Sequence, residues 1–243
     1  MRNTWIIAKR ELLGYFNSPV AYVFTVIFLL LIGFFTFMMG GFFRTDEASL
    51  AAFFVWHPWL YMFLVPAVGM RLWAEERRLG TLELLFTMPV TVTQAVLGKY
   101  LAGCIFLAFA LVLTLPMPIT VAWLGDPDMG PIFTGYIGSL LISCTYLAVT
   151  GMTSAFTRNQ VISFITSLVI CLLLVLAGFP PVTNLLLKWG AASSLVDLAA
   201  YMSIIFHFDS LQRGVLDFRD ILYFASISTF CLFTTGVALK NRR

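Results

Sequence analysis

Six long stretches of the sequence carry almost no charge, and each is long enough to cross a lipid bilayer as a helix. They cover residues 20–43, 53–73, 96–124, 131–156, 161–179 and 221–239. The hydrocarbon core of a bilayer is about 30 Å thick and needs roughly 20 apolar helical residues. Apolar residues make up 60% of the 243-residue chain and charged residues 11%, far from the balance of a soluble domain. We therefore expect one all-α integral membrane domain over residues 1–243, with six transmembrane helices.

Prolines inside these stretches predict where the spans bend. Pro66 lies in the second stretch, and Pro116 and Pro118 lie in the third. Proline removes a backbone hydrogen bond from a helix, which a membrane tolerates where neighbouring helices satisfy the freed carbonyl. We expect kinks at Pro66 and at the Pro116/Pro118 pair.

The distribution of basic residues predicts how the chain is oriented in the membrane, because cytoplasmic loops are enriched in Lys and Arg. This count assigns Lys99 to the loop after the second span. Of the fifteen basic residues, four then fall on the side opposite the amino terminus: Arg44, Lys188, Arg213 and Arg219. The other eleven share its side: Arg2, Lys9, Arg10, Arg71, Arg77, Arg78, Lys99, Arg158, Lys240, Arg242 and Arg243. We expect a multi-pass membrane protein with both termini in the cytoplasm.

Several functional classes are disfavoured by composition. The net charge of +3 is small and dispersed, which argues against nucleic-acid binding. The four cysteines form no C-x-x-C pair, so a zinc module or disulfide scaffold is not expected. No G-x-x-x-x-G-K-[ST] motif occurs, so the chain has no P-loop for ATP. An intramembrane enzyme is a weak hypothesis, because His57 lies alone beside Trp56 and Trp59, where we expect it to be a packing residue.

Residues 1–18 are predicted to form an amphipathic helix at the cytoplasmic membrane surface. Its apolar face is expected to hold Trp5, Ile6, Leu12, Leu13 and Phe16. Its charged side is expected to hold Lys9, Arg10 and Glu11. Such a helix lies in the plane of the interface with its apolar face in the lipid. The alternative is a plain basic anchor that only fixes topology.

Residues 74–95 combine a charged hinge with an apolar helix. Arg71 and Glu75 are four residues apart, a spacing that allows an ion pair on a helix. Gly80 is expected to break this helix, Thr81 to cap a new one, and Pro89 to end it. Leu79, Leu82 and Phe86 share one face of the new helix. So apolar a helix on the cytoplasmic side needs a partner; the alternative is that it packs on the chain's own spans or enters the headgroups.

Residues 180–220 are predicted to lie on the side opposite the amino terminus. The apolar part, 193–208, contains Asp197 and His207 and is too short and interrupted to cross alone. A re-entrant or surface helix pair fits it better. His207 and Asp209 are two residues apart and cannot face each other on a helix, so we expect capping or pairing roles there. Arg213, Asp217, Arg219 and Asp220 are expected to pair locally.

The chain resembles the permeases of ABC-2 type transporters, the membrane subunits of one class of ATP-binding-cassette exporter. The resemblance rests on the six spans, the amphipathic amino-terminal helix ending at 15–19, and above all the block EERRLGTLELLFTMP at 75–89. Within that superfamily it is most similar to the gliding-motility GldF-like branch, through the NSP entry at 17–19 and the stretch at 207–224.

The resemblance implies a mechanism in which ATP chemistry belongs to another subunit. A cytoplasmic coupling helix, 81–88, would insert into a separate nucleotide-binding subunit, which binds ATP and Mg, so this chain itself holds no cofactor. The resemblance implies a second permease copy, a homodimer or a related heterodimer, in the bacterial inner membrane. It also implies an auxiliary membrane protein with a large extracytoplasmic domain. The coupling residues would be Glu75, Glu76, Arg77, Arg78, Thr81, Leu82, Leu85, Phe86 and Met88.

Two functions remain open from the sequence. The first is export of a substrate along the dimer seam. The second is ATP-driven mechanotransmission or assembly, in which the moving spans act on an extracytoplasmic partner and carry no cargo. The long segment 180–220 and the scarcity of charge deep in the spans favour considering the second, because ion pathways usually contain intramembrane ionisable groups.

Overall fold

The computed structural model of the chain describes residues 2–42, 48–82, 90–188 and 193–240, and all regular structure in these ranges is helical. By length and composition, five helical segments can cross a membrane: Ala21–Met39, Ala51–Leu79, Val92–Leu124, Met129–Phe156 and Phe218–Lys240. The pair Gln160–Leu176 and Pro180–Lys188, bent by 72°, makes a sixth only if it counts as one span. The predicted all-α, multi-pass class is confirmed, with five or six spans.

The helices of the described ranges are numbered here in chain order. They are α1 Arg2–Phe16, α2 Pro19–Phe34, α3 Ala51–Phe54, α4 His57–Gly69, α5 Arg71–Leu79, α6 Val92–Val112, α7 Pro116–Leu124, α8 Met129–Phe156, α9 Gln160–Leu176, α10 Pro180–Lys188, α11 Ser193–Tyr201, α12 Ile204–Gln212 and α13 Phe218–Lys240. A π-helical turn, Phe35–Met39, extends α2.

Local sequence accounts for where several helices begin and break. Thr91 and Gln94 form a reciprocal capping box at the start of α6, and Asp128 and Asn159 cap α8 and α9. The third span breaks between α6 and α7, immediately before Pro116, as predicted. Helix α4 continues through Pro66, and the interruption comes four residues later, between α4 and α5.

Helix α8 is the central helix of the molecule. It packs against α4, α5, α6, α9, α12 and α13. Its buried positions include many small and hydroxyl residues, which let neighbouring helices approach closely. At Gly135, for example, an added Cβ would lie 2.6 Å from the Phe54 ring. The charge-free run of the sequence predicted this span but not its central position.

Helix α1 is present where the sequence predicted it, but a different face packs on the protein. Ile7 and Ala8 are buried, whereas Trp5, Ile6 and Leu13 are each more than half exposed. The buried face of α1 packs along α6, and the two helices run in the same direction. Ile7 approaches α6 closely because Gly98 has no side chain to hold it away. Further along, Phe16 meets Phe109 edge to face at 5.2 Å. The apolar face predicted for α1 is therefore mostly the face turned away from the protein.

The segment after α9 forms three short helices in its described part. The apolar stretch predicted as a helix pair contains α11 and the first turns of α12. Helix α12 is held against α8, and its Phe208 and Leu211 are fully buried there. Gly138 of α8 makes this possible, since an added Cβ would lie 2.8 Å from the Phe208 ring.

Candidate functional site

Helix α5 carries the charged hinge predicted from the sequence. It ends at Gly80, whose backbone is left-handed (φ 72°) and whose N–H donates to the carbonyl of Glu76. This conformation favours glycine, because other residues suffer steric strain from their Cβ. The predicted helix break at Gly80 is therefore confirmed. The Thr81 hydroxyl also donates to the Glu76 carbonyl, at 3.4 Å.

The predicted coupling helix is only partly within the described residues. Thr81 and Leu82 are helical, whereas Leu85, Phe86 and Met88 lie outside the described residues. Leu82 is half-buried and packs against the chain's own core. Leu79, predicted on the same face, has 62% of its surface exposed. At Leu82, packing on the chain's own spans, the alternative left open above, is thus observed.

Lys99 joins the hinge to two other helices. Its Nζ lies 2.8 Å from Glu76 Oε1 of α5 and 3.6 Å from Glu11 Oε2 of α1. It also donates to the Leu72 carbonyl at 2.9 Å and lies 5.0 Å from the centre of the Trp73 ring. Because Lys99 is 4% exposed, these groups replace the water that a buried ammonium requires. We call Lys99, Glu76 and Glu11 the hinge clamp.

The sequence did not reveal this role of Lys99. Counting it as a loop cation was wrong, because it lies within α6 and is buried. Its position two turns into an apolar helix was the available signal. Glu11, predicted on the charged side of α1, turns toward Lys99 and is only partly exposed, a contact that the sequence did not predict. Lys9 and Arg10 are exposed beside Trp5, and Arg10 pairs with Glu11 at 2.8 Å.

The predicted ion pair between Arg71 and Glu75 is not among those formed by the described residues. The Glu75 carboxylate instead lies 4.0 Å from Arg78, three residues on. Both of these side chains are well exposed, so the pair contributes little to stability. Arg77 is half-buried on the same helix.

Ser154 of α8 holds the interruption between α4 and α5. Its hydroxyl oxygen accepts hydrogen bonds from the backbone N–H groups of Trp73 and Ala74, at 3.0 and 2.9 Å. The same hydroxyl donates to the Met70 carbonyl at 2.9 Å. A helix interruption leaves such groups without intrahelical partners. One serine therefore satisfies them and binds the hinge to the central helix.

A cavity of about 270 Å³ lies beside the hinge clamp, where α1, α2, α4, α5 and α6 meet. Burial raises the pKa of the Tyr15 phenol on its wall, and the Glu11 carboxylate adds to this. The cavity combines charged and apolar lining. Its lining residues are Glu11, Gly14, Tyr15, Ser18, Ala21, Phe24, Ala67, Val68, Arg71, Leu72, Glu75, Glu76, Lys99 and Phe106.

A second polar cluster joins α11, α12 and α13. His207 Nδ1 lies 2.7 Å from Asp220 Oδ1, and its Nε2–H donates to the Tyr201 carbonyl at 2.9 Å. The Ser210 hydroxyl donates to the other oxygen of Asp220, and the Tyr223 ring stacks on His207. The pairing role predicted for His207 is confirmed, with Asp220 as its partner.

This cluster lacks the geometry of a nucleophilic triad. Ser210 bonds to Asp220 and to the backbone carbonyl of His207 but not to its ring, and both ring nitrogens of His207 are occupied. No base is therefore free to take a proton from the serine. Asp209, the nearer carboxylate in sequence, pairs with Arg213. Asp217 accepts a hydrogen bond from the backbone N–H of Arg219 at 3.0 Å.

His57 is a buried packing residue, as predicted. Its ring is surrounded by Phe28, Phe53, Phe54 and Tyr61, and its Nδ1–H donates to the Phe53 carbonyl at 3.1 Å. Within the described residues the four cysteines are free, and no group of three His, Cys, Asp or Glu side chains could hold a metal ion.

Comparison with known proteins adds no further information on function. No family model matches the chain, and no curated protein is detectably similar to it.

Proposed function

We propose that the chain is the permease subunit of an ABC-2 type transporter, coupling ATP hydrolysis in a separate subunit to export across the bacterial inner membrane. In this proposal α1 lies at the cytoplasmic surface and both termini are cytoplasmic. The segment 81–88 is the coupling helix, and α10 to α12 lie on the extracytoplasmic side. The ATP-binding subunit holds ATP and Mg, and a second permease copy completes the membrane core.

The hinge clamp is the observation that supports coupling most directly. Segment 81–88 is joined to α5 through Gly80 and to α6 through residues 89–91. Lys99 connects α5 to α1 and α6, and Ser154 connects its start to α8. Because these contacts are buried and specific, α5 cannot tilt without moving its three neighbours or breaking the contacts. A helix fixed in this way is suited to pass a movement of segment 81–88 to the spans.

Binding of an ATP-hydrolysing partner tests the proposal. Leu79→Glu changes an apolar residue that is exposed, and Phe86→Glu changes the predicted anchor. Both variants should lose the ATP-binding protein that co-purifies with the tagged chain from its native host. Leu187→Glu, an exposed apolar position on α10, is the matched control and should retain it. Retained binding and ATPase stimulation in both hinge variants would overturn the proposal.

Mechanotransmission is the second candidate, and the geometry of α8 favours it. Near one end of this helix Ser154 holds the hinge. Near the other end the Thr134 hydroxyl donates to the Leu211 carbonyl of α12 at 2.6 Å. The two residues are separated by about 30 Å along one uninterrupted helix. A movement of the hinge therefore has a direct connection to the segment that would face an extracytoplasmic partner.

A structure of the assembled dimer with its ATP-binding partner separates the two functions. A continuous polar or laterally open cavity along the dimer seam supports export. A closed, tightly packed seam, together with movement of α12 between nucleotide states, supports transmission.

A further inference from the structure

The cavity beside the hinge clamp has two chemically different ends. Arg71, Glu75 and Glu76 of α5 line one end, with Lys99 and Glu11 nearby. Ala21, Phe24, Val68 and Phe106 line the other end. Three carboxylates and two cations face this one space, so the lining carries a net negative charge. Such a surface favours a ligand with a positive group and disfavours a net anion.

Two charged groups in the lining lack partners among the described residues. Arg71 is exposed and forms no ion pair or hydrogen bond there. Glu76 Oε1 binds Lys99, but Glu76 Oε2 is buried with no hydrogen-bond partner. A buried carboxylate oxygen without a donor is costly. The cavity therefore offers the Arg71 cation to an anionic group and the exposed Glu75 carboxylate to an N–H donor.

The apolar end continues into a narrow crevice between α2, α4 and α6. This crevice, about 20 Å³, shares Phe24, Val68 and Phe106 with the larger cavity. Of its other lining residues, only Thr25 and Tyr61 carry a polar group, one hydroxyl each. The rest are apolar: Phe28, Leu64, Leu107 and Ala110. The crevice has room for about one water, so the apolar surface open to a ligand is that of the larger cavity. Charged and apolar lining in one cavity matches a molecule with a polar head and a hydrocarbon chain.

We propose that this cavity is a binding site for a zwitterionic membrane phospholipid with a primary ammonium in its headgroup. Arg71 binds the lipid phosphate, the exposed Glu75 carboxylate accepts hydrogen bonds from the ammonium, and an acyl chain lies against the apolar lining of the cavity. Arg71 and Glu75 are one helical turn apart, roughly 5–6 Å between Cβ atoms, which suits the short spacing of phosphate and ammonium in phosphoethanolamine. A quaternary choline group has no N–H to donate. This site does not depend on the proposed transport function.

Lipid titration of the purified chain in detergent tests the headgroup chemistry. Phosphatidylethanolamine, phosphatidylcholine and phosphatidylglycerol with identical acyl chains are added, and binding is measured by native mass spectrometry and thermal unfolding. Loss of a charge-assisted hydrogen bond weakens binding roughly tenfold. Phosphatidylethanolamine should therefore bind about tenfold tighter than phosphatidylcholine. Phosphatidylglycerol should bind no tighter than phosphatidylcholine. Equal binding of the three lipids, or preference for phosphatidylglycerol, would overturn the proposal.

Two glycines provide a matched test of the location. Gly14 lines the cavity, and an added Cβ there meets no atom within 4 Å. Gly33 of α2 has the same open space but is not among the lining residues. Gly14→Leu should fill the cavity and remove the preference for phosphatidylethanolamine, whereas Gly33→Leu should keep it. Glu75→Gln should reduce the preference without filling the cavity. A preference that survives both Gly14→Leu and Glu75→Gln would show that the lipid binds elsewhere.

Discussion

Lys99 Nζ lies 2.8 Å from Glu76 Oε1, and this contact joins the third span to the hinge helix at a point where Lys99 is almost fully buried. A buried ammonium is stable only where carboxylates and carbonyls surround it. The same ammonium also approaches Glu11 and the Leu72 carbonyl. The packing of α1, α5 and α6 at this point therefore depends on one charge.

Replacing Lys99 by methionine should destabilise the protein. Lys99→Met keeps most of the side-chain volume but leaves Glu76 with no positive partner. Removing one member of a buried ion pair costs about 3–5 kcal/mol, and the partial exposure of Glu76 reduces this to about 2–3 kcal/mol. The free energy of unfolding in mixed detergent micelles measures the loss.

The double variant Lys99→Met/Glu76→Met is the informative control, because an apolar pair leaves no charge unpaired at this contact. It should recover much of the stability lost in Lys99→Met. Arg10→Gln removes an exposed pair with Glu11 and should change stability little. A double variant no more stable than Lys99→Met would contradict the description of the clamp as a desolvated ion pair.

Ser154→Ala should weaken the attachment of the hinge to the central helix. The alanine leaves two backbone N–H groups and one carbonyl without their bonds to the hydroxyl. Each buried unsatisfied group costs about 1–3 kcal/mol, and partial relaxation of the helix break limits the total to about 3 kcal/mol. The free energy of unfolding in mixed micelles measures the total cost. Hydrogen exchange of the Trp73 and Ala74 amides should also accelerate in the variant.

Ser167→Ala is the matched control for this experiment. Ser167 is equally buried, but its hydroxyl bonds only to carbonyls of its own helix, Ser163 and Phe164. Its loss leaves no backbone donor unsatisfied, so the cost should stay below about 1 kcal/mol. Similar losses for the two serines would argue against a special role of Ser154.

Five of the six predicted spans coincide with helices long and apolar enough to cross a membrane, because a bilayer imposes a minimum length of apolar helix. The fifth run was the exception, since α9 has 17 residues, about 26 Å, and is followed by a bend before Pro180. Hydropathy averages over such a bend. The helix break at Gly80 was also predictable, because only a local backbone conformation is required there.

The neighbours of each helix were not predictable in the same way. In a soluble protein the apolar face of a helix points to the core, but in a membrane it can equally face lipid. The predicted apolar face of α1, with Trp5, Ile6 and Leu13 exposed, did not indicate which other face would pack on α6. Two helices instead approach closely where one of them has a small residue, as Gly98 of α6 does against Ile7 of α1. The hinge clamp depends on such approaches, so the partners of Lys99 could not be read from the sequence.

Gly138→Ala should disrupt the contact between α8 and α12. The added Cβ would lie 2.8 Å from the buried Phe208 ring, so the ring or one of the two helices must shift. Overpacking of this kind costs about 1–3 kcal/mol. Gly33→Ala is the control, since its Cβ meets open space in α2 and alanine favours the helix by up to about 1 kcal/mol. The free energy of unfolding in mixed micelles should fall in Gly138→Ala and rise in Gly33→Ala. Equal changes in the two variants would contradict the close packing of α8 and α12.

Asp220→Ala should loosen the cluster that ties α12 to α13. Asp220 accepts from Ser210 and binds His207, and its side chain is 8% exposed. Without it both partners lose a charge-assisted hydrogen bond in a buried site, which costs about 2–3 kcal/mol.

Asp209→Ala is the matched variant for Asp220→Ala, because Asp209 pairs with Arg213 on the same segment but is half exposed. Water replaces that partner, so the loss should be small. Hydrogen exchange should accelerate across α12 in Asp220→Ala and stay unchanged in Asp209→Ala. If the two variants behave alike, the His207–Asp220 pair does not hold α12 and α13 together, and α12 is fixed by its contacts with α8, namely the packing of Phe208 and Leu211 and the Thr134 hydrogen bond.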